Sequence, residues 1–244
     1  NNLFFGWTHG ISNSDSFLIK NIKRIYYSLF DEILTYNEQA SNKLNSLKIN
    51  SRPIYNSLQD FPFLAEKSGK ENDWLFVGRI IKERLLSEFI INLNKEVLSD
   101  RIFHIIGPCD FKKELESLIE KKGLKNRIIL HGAIYDLNEI INISKSCKYF
   151  IHPSDVGLSA LLAVNLNLIL YTHDDFNTHK PEIEAAIQSK RIVTFKKTDN
   201  INLQPLFSVN NINTNNHYNL KIVISKWSVI NQINILNQLL YVKA

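Results

Sequence analysis

The sequence predicts an α/β fold built on a Rossmann-like, doubly wound parallel sheet. Between Trp74 and Phe195, short apolar segments alternate with amphipathic ones across short loops. This alternation is typical of βαβ units, whose strands pair in parallel. Several apolar segments end at a glycine, as at Gly78, Gly107 and Gly132, where a strand gives way to a loop. Right-handed crossovers place such loops along one edge of the sheet, where these folds bind ligands.

The elements of this region follow from apolar periodicity and flanking breakers. The predicted strands are Trp74–Val77, Ile102–Ile106, Arg127–Leu130, Tyr149–Ile151, Leu168–Thr172 and Ile192–Phe195. The predicted helices are Arg84–Leu98, Phe111–Lys122, Leu137–Ser146, Leu158–Leu166 and Pro181–Gln188.

The residues on either side predict a second, smaller unit and a terminal helix. Before the linker we expect strands at Leu3–Trp7, Glu32–Tyr36 and Arg52–Tyr55, with helices at Phe17–Phe30 and Gln39–Leu47. After the main sheet, a long helix is predicted over His217–Val242. We therefore divide the chain into a partial Rossmann-like domain (1–58), a linker (59–73), a ligand-binding domain (74–212) and a C-terminal helix (213–244). The linker is marked by Pro62, Gly69 and many charges.

Composition restricts the function classes. The formal net charge is +5 and the pI about 9.0, which fits a phosphate-bearing ligand, an anionic membrane surface or an ordinary protein with excess lysine. The cations are scattered, so nucleic-acid binding is not favoured. Cys109 and Cys147 form no CxxC pair, which favours a reducing cytoplasm. The chain begins at Asn1 and has no Met, so we expect residues upstream.

Two strand-end loops carry groups suited to a phosphate. Arg79 follows the first strand and Arg84 opens the next predicted helix, so the two cations form a plausible diphosphate clamp. Taken alone, solvated surface arginines are the better interpretation. The loop 153–159 leads directly into a helix, and its free N–H groups would face an anion. Ser154 or Asp155 as a simple helix cap is the alternative, and capping does not exclude phosphate binding.

A polar cluster follows the strand Leu168–Thr172. It contains His173 and His179, but their spacing fits no standard zinc pattern, so no metal is predicted. A loop that forms hydrogen bonds with sugar hydroxyls is favoured instead.

Taken in order, these segments resemble the group 1 (family 4) retaining glycosyltransferases of the GT-B fold, in particular bacterial members that build surface polysaccharides. The resemblance covers nearly the whole chain. It rests on Trp74–Phe89 (FVGR-x4-K/R), Phe103–Leu118 (second strand and helix), Ile128–Ile134 (base loop), Ile151–Thr172 (PS-x-x-G-L), His173–Ala186 (THDDF…PE-x-E-A), Gly6–Gly10, Ile33–Asn37 and Ile54–Ser57.

The resemblance implies a nucleotide-sugar donor, a glycan or lipid-linked acceptor, no cofactor and a cytoplasmic location with peripheral contact at the inner membrane face. It implies catalytic roles for His9, which would face the transferred sugar, and for Glu182, which would contact it. The implied donor-binding residues are Arg79, Arg84, Gly107, Gly132, Ala133, Ile134, Asp155, Val156, Gly157, Leu158, Ser159 and Leu162.

This chain departs from the family pattern at several positions. Leu162 stands where members carry a Glu or His that contacts the ribose, and leucine forms no hydrogen bond. Cys109 replaces the second glycine of a G-x-G turn, and only Asp155 stands near the first carboxylate of the paired-Glu motif. The acceptor domain would also need roughly 100 more residues upstream. The alternative to a transferase is therefore a truncated or decayed, non-catalytic nucleotide-binding or partner subunit.

Overall fold

The computed structural model describes residues 4–11, 15–58, 72–197, 200–208 and 217–241. Its N-terminal part contains a three-stranded parallel sheet in the order β1-β2-β3. The elements are β1 (Phe5–Thr8), α1 (Phe17–Tyr27), β2 (Glu32–Thr35), α2 (Glu38–Ser46) and β3 (Ser51–Pro53).

Side-chain caps begin both helices of this part. Ser16 accepts a hydrogen bond from the N–H of Ile19, and Asn37 accepts one from the N–H of Ala40 at 2.9 Å. Each cap satisfies a donor that a helix start leaves open. Strand β1 lies at the sheet edge.

The strands and helices of this part occur in the predicted order, and their bounds agree with the predicted ones within a few residues.

The second sheet has six parallel strands in the order β6-β5-β4-β7-β8-β9. Its strands are β4 (Asp73–Val77), β5 (Phe103–Ile106), β6 (Ile128–Gly132), β7 (Cys147–Ile151), β8 (Ile169–His173) and β9 (Ile192–Phe195). Its helices are α3 (Leu86–Ile91), α4 (Lys95–Leu98), α5 (Lys112–Lys121), α6 (Leu137–Ser144), α7 (Ser159–Asn165), α8 (Ile183–Gln188) and α9 (Gln204–Phe207). The predicted Rossmann-like α/β fold is confirmed.

The two faces of this sheet support separate parts of the core. On one face Trp74, Phe76 and Phe103 pack with α3 and α5 residues such as Phe89. On the other face Leu75, Phe150 and Leu170 pack with residues of α6, α7 and α8. Burial on both faces explains why the strands read as continuous apolar runs in the sequence.

Two predicted helices were wrong because each is broken into shorter ones. The segment Arg84–Leu98 begins with a 3-10 turn, then passes through Leu85 at a φ of 54° and restarts where Asn94 caps Val97. The C-terminal segment forms α10 (His217–Lys226) and α11 (Val229–Tyr241). Among the described residues, every helix is too short or too polar to span a bilayer.

The C-terminal helices return to the N-terminal part of the chain. Lys226 donates to the Glu38 carboxylate at 2.5 Å, and its ammonium lies 5.0 Å from the ring centroid of Tyr55. Tyr55 also packs on Trp227, and Gln232 donates to the Tyr55 carbonyl oxygen. These contacts hold the end of β3 against α10 and α11.

Gly107→Ala tests a close approach between two strand ends. A Cβ at Gly107 would lie 1.9 Å from the carbonyl oxygen of Gly78, and the φ of Gly107 is 146°. Because the backbone would have to move, we expect thermal denaturation to show a loss of roughly 3 kcal/mol or more. Gly132→Ala is the control, since its Cβ would meet open space at a φ of 74°. That change should cost about 1–2 kcal/mol. Equal losses for both variants would contradict this account.

Candidate functional site

The strand order reverses between β4 and β7, and this is where doubly wound sheets bind ligands. Chain segments leaving β4 run to one side of the sheet and those leaving β7 run to the other, so a crevice opens beyond their carboxyl ends. The loop after β4 carries Arg79 and Arg84, and the loop after β7 is 152–158. The residues predicted for the diphosphate therefore flank the switch point.

The two arginines differ in their surroundings. Arg84 donates through Nη1 to the carbonyl oxygen of Asp155 at 2.9 Å, which joins the loops after β4 and β7. Arg79 is exposed and directly follows Gly78. Arg84 is thus positioned by the protein, whereas Arg79 is free to turn toward a ligand.

The backbone amides of the second loop are only in part open to an anion. The N–H of Val156 donates to His179 Nδ1 at 3.0 Å, so the prediction was wrong for this amide. Among the described residues, the N–H groups of Gly157, Leu158 and Ser159 have no acceptor. They precede or open α7 and remain the donors that this loop offers.

The predicted base-binding loop lies at the end of the edge strand β6. Gly132 and Ala133 are exposed, and Ile134 packs partly buried against the core. The structure gives Gly107 a backbone role, because its Cα faces the Gly78 carbonyl oxygen. Leu162 packs partly buried against the core cluster of α7 and α8, as expected if this residue faces the core rather than a ribose.

Glu182 lies where the two sheets meet. Its side chain is 3% exposed, and Oε1 accepts a hydrogen bond from Asn56 Nδ2 at 2.6 Å. Oε2 is buried and has no partner among the described residues. Asn37, after β2, donates to the Pro181 carbonyl oxygen at 3.4 Å. The carboxyl edge of the small sheet therefore faces the start of α8.

His9 follows β1 at this same edge of the small sheet. Its ring is exposed and stacks on Tyr36, with centroids 4.3 Å apart. Both predicted catalytic residues thus lie on segments that leave the carboxyl edge of a sheet.

The Asp155 carboxylate collects hydrogen bonds from the loops after β8 and β9. Oδ1 lies 2.9 Å from His173 Nε2, 2.7 Å from Thr178 Oγ1 and 3.4 Å from Lys197 Nζ. Burial raises the pKa of Asp155, but the bonds from Thr178, Lys197 and His173 outweigh it and hold the pKa below its usual range. Asp155 is therefore an ionised tether between loops.

A cavity of about 390 Å3 lies beside this tether. It is lined by Ile81, Glu83, Arg84, Leu85, Pro153, Ser154, Asp155, His173, Phe195, Lys197 and Ile201. Sequence reasoning missed Lys197, Ser154 as a cavity residue, and Asn56. Lys197 belongs to none of the motifs used above. Only the folded chain brings its ammonium group to the Asp155 carboxylate.

Asp155, His173 and His179 have ligand atoms within 4.8 Å of one another, as a metal site requires. Both ring nitrogens of His179 are already engaged, however. Nδ1 accepts from the Val156 N–H, and Nε2 donates to the His173 carbonyl oxygen at 3.0 Å. A metal ion would have to break a backbone hydrogen bond of the loop. The chemistry of this cluster therefore favours hydrogen bonding over metal binding.

The fold is that of GT-B glycosyltransferases. The structure of a GtfA/B complex superposes with a TM-score of 0.70 at 16% identity, covering 97% of this chain and 52% of that one. The lipopolysaccharide outer core galactosyltransferase WaaB gives 0.63 at 14% identity, covering 88% and 63%. Anabaena HepE in complex with UDP gives 0.64 at 12% identity, covering 97% and 71%.

Residues 59–168 match the model of the family described as glycosyl transferases group 1. The resemblance to the group 1 glycosyltransferases is thereby confirmed. The chain spans about half of the GtfA/B chain and less than two thirds of WaaB. A search of curated proteins gave no significant match.

Leu162→Glu tests whether this residue contacts a nucleotide ribose. Since Leu162 packs against the core, a carboxylate there would lack a partner and cost roughly 1–3 kcal/mol. We expect a lower melting temperature and no gain in nucleotide affinity by calorimetry. Leu158→Glu, at a residue that is 46% exposed, is the control and should change stability by less than about 0.5 kcal/mol. A gain in affinity would instead assign Leu162 to the ribose.

The burial of His152 predicts that the folded protein loses stability in acid. Its complete burial, reinforced by the charge of Arg84, lowers its pKa from 6.5 to about 4. The unfolded chain therefore binds more protons below pH 6.5, and stability falls as the pH drops from 6.5 toward 4. Between pH 7.5 and pH 5 this residue alone should cost about 2 kcal/mol.

Urea denaturation at the two pH values measures this loss. His152→Gln does not titrate and keeps an amide that can donate to the Ser154 carbonyl oxygen, which His152 Nδ1 contacts at 3.1 Å. The variant should lose less stability on acidification than the natural protein. The same loss in both proteins would rule out His152 as the source.

Proposed function

We propose that this chain supplies the donor-binding part of a glycosyltransferase. In this proposal, the enzyme transfers a sugar, with retention of configuration, from a nucleotide sugar to a glycan or lipid-linked acceptor in surface polysaccharide synthesis. Its location is the cytoplasm, at the inner face of the membrane. The observation that carries the proposal is the convergence of Arg79, Arg84 and the free amides of residues 157–159 at the switch point of a group 1 glycosyltransferase segment.

The chemistry supports a nucleoside diphosphate as leaving group. Two guanidinium groups and backbone N–H donors stabilise the negative charge that develops on the departing phosphate. Because Arg79 and Arg84 supply this charge, we propose that the reaction needs no metal ion or cofactor. Exposed Gly132 and Ala133 at the end of β6 leave room for the base beside the loop.

Glu182 and His9 supply the acceptor-side chemistry of the proposal. In this proposal, the buried and unpaired Oε2 of Glu182 accepts a hydrogen bond from a hydroxyl of the transferred sugar, while Asn56 donates to Oε1. His9 lies at the carboxyl edge of the small sheet, and in this proposal it approaches the transferred sugar from that side. Both residues then act where a sugar passes from donor to acceptor.

Calorimetric titration with UDP, GDP and ADP tests the diphosphate site. Arg79→Ala and Arg84→Ala each remove a charge-assisted contact, so we expect each to weaken the preferred nucleotide about tenfold or more. Arg24→Ala, on the remote helix α1, is the matched control and should leave affinity unchanged. Unchanged affinity in both site variants, or no binding of any nucleotide, would contradict the proposal.

A non-catalytic partner subunit is the second candidate, and one observation favours it. Helix α1, strand β1 and the residues next to them expose large apolar side chains that a partner chain would cover: Phe4, Trp7, Phe17, Leu18, Ile22, Ile25, Tyr26 and Leu29. Release of free nucleotide from UDP-, GDP- and ADP-hexoses separates the two candidates. Turnover that Glu182→Gln and His9→Ala abolish supports the enzyme, whereas tight binding without turnover supports the subunit.

A further inference from the structure

Strand β6 has one residue more than its neighbour β5 at the end that leads into residues 132–134. Leu130 pairs with Ile105 and Gly132 pairs with Ile106, so His131 has no counterpart in β5. An extra residue of this kind is a β-bulge, which turns its side chain out of the regular alternation. Because β6 is an edge strand, only β5 holds it by backbone pairing. The direction of the following loop therefore depends on how this bulge is held.

The loop after β6 has little backbone support of its own. The Gly132 carbonyl oxygen accepts a hydrogen bond from the Gly107 N–H at 2.7 Å. Within the part of the chain that the structure describes, residues 133–135 make no backbone–backbone hydrogen bond. Gly132 has a φ of 74°, and both Gly132 and Ala133 are exposed. The end of β6 thus sets where the loop starts and which way it runs.

A side chain of β5 holds the bulged residue. His104 Nδ1 lies 3.0 Å from His131 Nε2, and the two ring planes are inclined by 28°. Asp73 Oδ2 lies 3.7 Å from His104 Nε2, while Asp73 Oδ1 accepts a hydrogen bond from the Ile102 N–H at 2.8 Å. The fixed carboxylate attracts the proton of the His104 ring to Nε2. Nδ1 of His104 is then the acceptor for the Nε2–H of His131.

The ionisation of the two rings agrees with this hydrogen bond. Burial, together with the charge of His131, lowers the pKa of His104, and Asp73 offsets this only in part. Burial also lowers the pKa of His131, and the charge of Glu139 offsets this only in part. Both rings are therefore neutral near pH 7, and two neutral imidazoles supply the one donor and one acceptor that the bond needs.

We propose that His104 is a positioning residue for the nucleotide base, because its hydrogen bond holds the bulged His131 and so fixes the backbone of residues 132–134. The inference rests on the proposed function, which places the base beside this loop. It goes further by assigning the preference for one base to a side chain that lies behind the loop and acts through His131.

His104→Asn and His104→Leu form a matched pair of variants. The two new side chains are similar in size, but asparagine places an amide group where histidine has Nδ1, and leucine has no polar atom there. Calorimetry with UDP, GDP and ADP gives the affinity for each nucleotide. We expect His104→Leu to weaken the preferred nucleotide about three- to tenfold, as for one neutral hydrogen bond, and the other two less. His104→Asn should keep the preference of the natural protein.

Tyr149→Phe is the control for a general loss of stability. It removes one buried hydrogen bond, from the Tyr149 hydroxyl to the Leu206 carbonyl oxygen at 3.0 Å. Tyr149 packs with Phe103, whose side chain points to the opposite face of the sheet from that of His104. This variant should melt at a lower temperature and keep the preference among the three nucleotides.

His104→Gln repeats the test with a side chain that stays polar. Its amide takes the place of Nε2 rather than Nδ1, so it should lose the preference as the leucine variant does. In the protein without ligand, the amide NMR signals of Gly132 and Ala133 should shift in His104→Leu and stay close to their natural positions in His104→Asn. Unshifted signals in the leucine variant would overturn the positioning role.

The nucleotide titrations separate failure of this inference from failure of the proposed function. The positioning role is overturned, with the nucleotide site intact, if the natural protein binds all three nucleotides equally or if His104→Leu weakens all three equally or not at all. An equal loss of preference in His104→Asn and His104→Leu also overturns it, since the hydrogen bond would then not be the cause. Failure of every nucleotide to bind the natural protein overturns the proposed function and this inference with it.

Discussion

The hydrogen bonds of Asp155 are the interactions on which the arrangement of loops at the carboxyl edge of the six-stranded sheet depends. Asp155 follows β7, and its carboxylate accepts hydrogen bonds from residues at the ends of β8 and β9 and in the loop after β8. Its backbone carbonyl oxygen accepts a hydrogen bond from Arg84 in the loop after β4. Four loops that are far apart in sequence are thereby fixed relative to one another. Parallel strands alone bring loops to one edge, but they do not fix the side chains within it. The loops that Asp155 joins line the cavity at this edge of the sheet.

A second polar contact region holds the two sheets together. Asn56 binds Glu182, and Lys226 binds Glu38 from the C-terminal helices. Hydrogen bonds from Lys226 and from the Tyr55 hydroxyl outweigh desolvation and lower the pKa of Glu38. Polar contacts of this kind are directional and can re-form with water, unlike a packed apolar core. The N-terminal part is therefore joined to α8 and α10 by directional polar contacts.

The sequence was sufficient for the architecture because burial on both faces of β4, β7 and β8 leaves uninterrupted apolar runs between short loops. It was insufficient where one residue overrides a periodic pattern. The apolar spacing of 84–98 gave no sign that Leu85 takes a positive φ, and Trp227, buried at the break between α10 and α11, reads as one more apolar residue.

Within the site, motifs identified Arg84, Asp155 and Glu182 as polar groups at strand ends. They did not reveal the partners Lys197 and Asn56, because side-chain pairing across loops depends on three-dimensional distance and leaves no spacing signal. They also missed the capture of the Val156 amide by His179, 23 residues away.

The distribution of unsatisfied polar atoms adds a thermodynamic argument for a ligand. Among the described residues, buried side-chain atoms without a partner occur at Trp74, Ser154, Asn167, His173 and Glu182. Three of these residues lie after β7, at the last position of β8 or at the start of α8, close to Arg84 or Asn56. A fold selected for stability alone would replace such atoms with apolar groups, because each one costs free energy. Their concentration where the loops converge indicates that this edge is not optimised for stability alone, since a group that satisfied these atoms would add its stabilisation as affinity rather than as stability of the empty protein.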